Sequence, residues 1–202
     1  MEIVHQHIIH SLSRKNPGDL IFPTDFRGIG TEAAIKKSLS RLAKIGPLKR
    51  LAHGIYYIPK TDPVLGELHP GAEEIAEMLA RKEEIRIRPA GAAALHKLGL
   101  TTQVPMKLVY ITDGPPRQLK IGKLVIKFKP TSRRKLSTKG RISSLVIQAL
   151  EELDLKHMDT ETKEKIKSQL LQENPIRLRQ DLQFAPARIN DFIVKLLKPN
   201  TA

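Results

Sequence analysis

Lys37, Arg41 and Lys44 stand four and then three residues apart, the spacing that brings side chains onto one face of an α-helix. Lys36 and Ser40 flank them, Thr31 opens the stretch as a good N-cap, and the single carboxylate between residues 31 and 45 is Glu32. An ordinary solvated helix face mixes both signs so that residues one turn apart can pair. A face of one sign with a hydroxyl suits phosphates instead, and an Arg on it can grip a guanine edge with two hydrogen bonds in a major groove about 12 Å wide. Downstream, Lys49, Arg50 and His53 cluster before the run Ile55-Tyr56-Tyr57-Ile58. They suit contacts to a nucleic-acid backbone or minor groove. Both tyrosines can be core residues, and at least one is expected to be.

Other chemistries find little support in residue types and spacing. His5, His7 and His10 share a helical stretch, but no two are four residues apart, and His69, His96 and His157 are isolated. No His-Glu-x-x-His sequence occurs, so no metal site is expected. Gly28-Ile29-Gly30 lacks the third glycine of a dinucleotide loop, and there is no Walker sequence. A nuclease would need clustered carboxylates for Mg²⁺, yet Asp113 sits alone in a turn and the next acid is Glu151. No Asp-x-Asp pair follows a Gly-Ser turn. The chain is therefore expected to have no catalytic residues and no cofactor.

The elements that would position these residues follow from periodicity and punctuation. Residues 2–14 read as a helix on Ile3, Val4, Ile8 and Leu12, stopped by Asn16-Pro17-Gly18. Leu20 to Phe22 reads as a short strand, and Pro23-Thr24-Asp25 starts a brief second helix. A third helix spans about 32–45, with Ile35, Leu39, Leu42 and Ile45 in one apolar arc and Ser38 at its edge. Gly46-Pro47 closes it. Residues 48–52 and 55–59 make a hairpin around His53-Gly54. This order is that of a winged helix-turn-helix, placed at residues 1–60. Pro63, Gly66, Pro70 and Gly71 mark 61–71 as a linker. Residues 72–202 then form a mixed α/β domain with a helical tail: a helix at 72–81, a strand at 85–87 and a helical stretch opened by Pro89. A strand at 106–112 and a hairpin around Gly122 follow, then helices near 140–153, 160–172, 175–183 and 186–197. The expected class is α+β.

Bulk composition fits this plan. An apolar fraction of 40% can fill packed cores, and no apolar run approaches the ~20 residues of a membrane span. There is no cysteine, and the alternating apolar and polar residues of the N-terminus are not expected to act as a secretory leader. A cytoplasmic location and no membrane partner are expected. The net charge of +14 attracts polyanions, and ten of the cations lie between residues 117 and 141 without a single acid. Four of those lysines, Lys120, Lys123, Lys127 and Lys129, suit a solvated hairpin edge. Arg133, Arg134 and Lys135, with Arg141, form a second basic patch, because adjacent cations repel unless an anion is near.

The strings SLSRLAKIGPLKRLAHGIYYIP (38–59), RPAGAAALHKLGL (88–100) and PMKLVYITDGPPRQLKIG (105–122) resemble, in order, segments of AbiEi-type antitoxins. These belong to the abortive-infection AbiE toxin–antitoxin systems. The likeness covers roughly two thirds of the chain, and the tail after about 140 carries no matching motif. The resemblance implies a winged-helix domain that represses its own operon through double-stranded operator DNA, followed by an α/β antitoxin domain. It also implies, as functional partner in a type IV pair, a nucleotidyltransferase-like toxin, whether or not the two touch. The residues expected on DNA are Thr31, Lys36, Lys37, Ser40, Arg41, Lys44, Lys49, Arg50 and His53. Two rival readings are an RNA-binding module using both basic regions and a protein-interaction module with a degenerate winged helix. The low aromatic content of 4% weakens the first, since single-stranded RNA is usually read by stacking.

Overall fold

The computed structural model describes residues 2–198. The architecture is mixed α+β, with eight α-helices and three small sheets among the described residues. The chain separates into two compact units, dividing after Lys82.

The first unit begins with α1 (Glu2–Leu12), β1 (Leu20–Ile21) and a 3₁₀ turn at Pro23–Phe26. α2 (Glu32–Ile45) starts where Thr31 Oγ1 accepts the Ala34 N–H at 3.3 Å, and it ends at Gly46. Gly46 has φ +118°, and its N–H reaches the Leu42 carbonyl, a left-handed stop that a side chain would strain. The hairpin of β2 (Lys49–Ala52) and β3 (Ile55–Tyr57) joins β1 in an antiparallel sheet of order β1-β3-β2. Ile8, Ile21, Phe26, Ile35, Leu39, Leu42, Leu48 and Tyr56 close one core between helices and sheet. Tyr56 and Tyr57 are both buried: β3 is central and covered on both faces, and Tyr57 Oη meets His69 Nδ1 at 2.7 Å.

Three expectations from sequence need correction here. Ile3 and Ile45 fit the apolar periods but are 71% and 66% exposed, because each lies at a helix end that outruns the core. Residues 61–71 do not make a structureless linker. β4 (Lys60–Asp62) and β5 (Gly66–Leu68) pair antiparallel across a turn in which Asp62 Oδ1 accepts the N–H groups of Val64 and Leu65, both at 2.8 Å. Of the residues that read as a linker, Pro63 lies in the turn of this hairpin and Gly66 opens β5, while Pro70 and Gly71 lie between β5 and the next helix. Finally, α3 (Ala72–Lys82) belongs to the first unit, so the division falls after residue 82 and not within 61–71. Its last residue explains why. Lys82 Nζ donates to the Leu20 carbonyl at 2.8 Å and to Asp25 Oδ2 at 2.5 Å, and lies 4.7 Å above the Phe22 ring.

The second unit is built on β6 (Ile87–Ala90), β7 (Lys107–Thr112), β8 (Arg117–Ile121) and β9 (Leu124–Pro130), in the order β6-β7-β9-β8. β7 and β9 are parallel and the two outer pairs antiparallel. Tyr110 and Phe128 lie opposite each other in the parallel pair with stacked rings. Pro89, read from sequence as a helix start, is inside β6, opposite Tyr110. β6 is an edge strand, where a residue without an N–H is tolerated. α4 (Ala92–Lys97) follows directly.

The rest is helical: α5 (Arg141–Leu150), α6 (Thr160–Leu170), α7 (Pro175–Leu182) and α8 (Ala187–Leu197). Ala94, Leu98, Val146, Ile147, Leu150, Ile166, Leu170, Ile189 and Ile193 interlock as their shared core. Two carboxylates fasten the start of α5. Asp181 of α7, fully buried, accepts the Lys139 N–H at 2.7 Å, the Gly140 N–H at 2.8 Å and the Ser143 hydroxyl at 2.5 Å. Glu173 accepts the N–H groups of Ile142 at 2.7 Å and Ser143 at 3.1 Å. A side chain at Gly140 would displace these bonds. A Cβ on it would lie 2.1 Å from Ser143 Oγ and 2.6 Å from Glu173 Oε2.

These bonds give Glu173 a pH signature. Burial works to raise its pKa, but the N–H groups of Ser143 and Ile142 prevail and hold it below the ordinary value. A carboxyl whose folded pKa is depressed stabilises the fold above its unfolded pKa, and that contribution is lost as pH falls through the lower folded value. Urea titrations at neutral pH and below pH 4 should show wild type losing more stability on acidification than Glu173→Gln. Equal losses in the two proteins would contradict this role.

Candidate nucleic-acid interface

α2 is amphipathic: Ile35, Leu39 and Leu42 are buried in the core while Lys36, Lys37, Arg41 and Lys44 are exposed. Lys37, Ser40, Arg41 and Lys44 line an open groove of about 1000 Å³ that also takes in Ala34, Ile45, Ser38 and His5 from α1. Among the described residues that line this groove there is no carboxylate. Ser38, placed by sequence at the edge of the apolar arc, is buried, and His5 Nδ1 meets its Oγ at 2.7 Å. This bond ties α1 to α2 at the groove wall, and sequence reasoning missed it. A histidine and a serine 33 residues apart give no local signal.

The remaining expected contacts are less uniform. Lys36 pairs with Glu32 at 2.5 Å, which holds the Glu32 carboxyl below its usual range. Both side chains are largely exposed, so the pair adds little stability and is easily exchanged for another anion. Thr31 acts as the helix cap. In the β2–β3 hairpin, Gly54 takes φ +69° at the tip. Arg50 folds along the strand, donating to the Ala52 carbonyl at 3.3 Å and lying 3.2 Å from His53 Nδ1. Lys49 is half-buried and paired with Glu67 of β5 at 3.1 Å. It is therefore engaged within the unit, whereas Arg50 and His53 remain on the surface.

The second basic patch is divided by the structure. Lys135 is turned to Glu151, with both carboxylate oxygens within 2.8 Å. The anion whose absence made the trio look functional is thus supplied from the end of α5, out of reach of local sequence reasoning. Arg134 donates to the Gln183 carbonyl at 2.8 Å, and Arg133 and Arg141 are exposed.

Several of the residues weighed for metal or catalytic work have structural partners. Asp113 accepts from Arg86 through both N–H and Nε, at 2.7 and 2.8 Å, and the Arg86 side chain is the main reason its carboxyl lies below the usual range. His157 meets Asp154 at 2.7 Å, and His10 contacts Arg14. Among the described residues no three His, Asp or Glu side chains converge as a metal ion requires. Among them, too, no helix is long and apolar enough to cross a membrane.

With this geometry in place, comparison with known proteins adds a family. Residues 7–178 match the model described as "Family of unknown function (DUF6088)". The chain belongs to the DUF6088 family. No match to a curated protein was found. Among solved structures, this DUF6088 member is similar to the crystal structure of the RV2827C protein from Mycobacterium tuberculosis, with a TM-score of 0.55 and 15% identity. The alignment covers 96% of this chain and 76% of that one. At that identity the likeness concerns the fold alone.

Proposed function

We propose that this DUF6088 member is a sequence-specific double-stranded DNA-binding protein that represses its own operon, with α2 as its reading helix. The observation that carries the proposal is the outer face of α2: Lys37, Arg41 and Lys44 exposed along one groove, with no carboxylate among the described groove residues. A helix of this kind fits a major groove, with Arg41 suited to a guanine edge and Lys37, Lys44 and Ser40 to phosphates. The order α1, 3₁₀ turn, α2, β2–β3 hairpin supports a winged helix-turn-helix, in which the second full helix enters the groove and the hairpin tip, with Arg50 and His53, lies over the backbone. The resemblance of residues 38–59, 88–100 and 105–122 to AbiEi-type antitoxins extends the proposal. On that extension the chain is the antitoxin of a type IV pair whose toxin is a nucleotidyltransferase-like protein.

Both halves are testable in cells. A reporter driven by the DNA upstream of the gene should be repressed by the full chain and released by the Lys37→Ala, Arg41→Ala, Lys44→Ala triple variant. Growth inhibition by a nucleotidyltransferase encoded beside the gene should be relieved by wild type. Reporter output indifferent to the full chain would overturn the repressor reading, and unrelieved growth would overturn the antitoxin extension.

A further inference from the structure

The buried Asp181 and half-buried Glu173 at the start of α5 do more than cap a helix: they draw two cationic segments, distant in sequence, onto one surface. Residues 132–141 contain no acid, and residues 172–183 contain only Glu173 and Asp181. Both of these carboxylates accept hydrogen bonds from the α5 N-terminus, and Asp181 is fully buried. Arg134 crosses between the same segments to the Gln183 carbonyl, a neutral acceptor that leaves its charge uncompensated. Arg133, Lys139 and Arg141 are exposed on the first segment, and Arg177 is exposed on the second. Arg177 lies one turn before Asp181, and residues four apart share a helix flank, so it belongs to the flank of α7 that carries Asp181, the residue bonded to Lys139 and Gly140.

We infer that Arg133, Arg134, Lys139, Arg141 and Arg177 form a second polyanion-binding surface, in the second unit, that holds the phosphodiester backbone of nucleic acid without reading sequence. The acids of this region are turned inward and saturated with N–H and O–H donors, so five cations face outward with no exposed carboxylate in either segment to neutralise them. No aromatic residue occurs between 132 and 141 or between 172 and 183, so the surface lacks a platform for stacking bases and offers only charge and guanidinium donors, the chemistry of phosphate contact. Lys135, although adjacent, is excluded because Glu151 holds it.

The test is a salt titration of binding to a random-sequence DNA duplex and to an RNA duplex of equal length. It uses the full chain carrying Lys37→Ala, Arg41→Ala and Lys44→Ala, so that the result does not depend on the proposed reading helix. Adding Arg133→Ala, Arg141→Ala and Arg177→Ala should weaken binding and, on DNA, flatten the plot of log K against log salt by about 0.9 per lost phosphate contact, roughly 2–3 in all. The milder pair Arg141→Gln and Arg177→Gln should flatten it by about half to two thirds as much, which guards against misfolding of the larger variant. Lys135→Ala should leave the slope unchanged. A slope change on DNA alone, on RNA alone or on both supports the surface and identifies the nucleic acid it takes. Unchanged slopes on both duplexes would overturn the inference. So would unchanged slopes together with lost binding to poly-glutamate, which would assign the surface to an acidic protein.

Discussion

Replacing Lys37, Arg41 and Lys44 together with Ala is expected to bring binding of the upstream DNA down to that of a random duplex, a loss of roughly 10³-fold or more. The three side chains lie outside the core that Ile35, Leu39 and Leu42 build on the other side of α2. Thr31 still caps the helix and the His5–Ser38 bond is untouched, so the thermal midpoint should stay close to wild type. The single changes should differ in kind. Arg41→Ala should weaken specific binding by about 1–3 kcal/mol and relax the preference at one base pair. Lys37→Ala and Lys44→Ala should weaken specific and random duplexes alike and reduce the salt slope by about one each. Anisotropy titrations at fixed ionic strength measure all of these. Wild-type affinity in the triple variant would remove α2 from the interface.

The second large effect is on stability. Asp181→Ala should destabilise the second unit by about 3–5 kcal/mol, since it strands the N–H groups of Lys139 and Gly140 and the Ser143 hydroxyl, and each buried unsatisfied group costs about 1–3 kcal/mol. Asp181→Asn should fall between the two proteins, because one amide oxygen can still accept but the –NH₂ faces donors. Gly140→Ala should destabilise in the same direction for a different reason, as its Cβ would push Ser143 and Glu173 off their hydrogen bonds. Urea denaturation provides the comparison. A midpoint for Asp181→Ala equal to that of wild type would mean that the clip at the start of α5 is not what fastens α7.

Local signals carried most of the fold. The α2 boundaries follow from Thr31 and Gly46, and the β2–β3 hairpin from His53-Gly54, because caps and tight turns depend on neighbours within four residues. The α5 to α8 segments were legible from apolar periodicity alone. Failures arose where distant residues decided the outcome. The Pro- and Gly-containing stretch after Lys60 reads as a linker because turn residues look alike in a linker and at a hairpin tip. Only the cross-strand pairing of Lys60 with Leu68 distinguishes them. The unit boundary moved because Lys82 finds Leu20 and Asp25 some sixty residues away. At the candidate site, the exposed cations of α2 were readable from charge and period. The His5–Ser38 bond, the Lys49–Glu67 and Lys135–Glu151 pairs and the bonds of Asp181 to residues 139 and 140 were not, since each depends on tertiary neighbours.

The most direct test of the central proposal is a titration of the purified full chain at one ionic strength against three ligands. These are the duplex upstream of its own gene, a scrambled duplex of identical composition, and the RNA duplex of the same sequence. A groove-reading α2 predicts binding of the upstream duplex about 10³-fold or more tighter than the scrambled one. It also predicts no such preference for RNA, whose deep, narrow major groove does not admit side chains. Equal affinity for upstream and scrambled DNA would contradict the account.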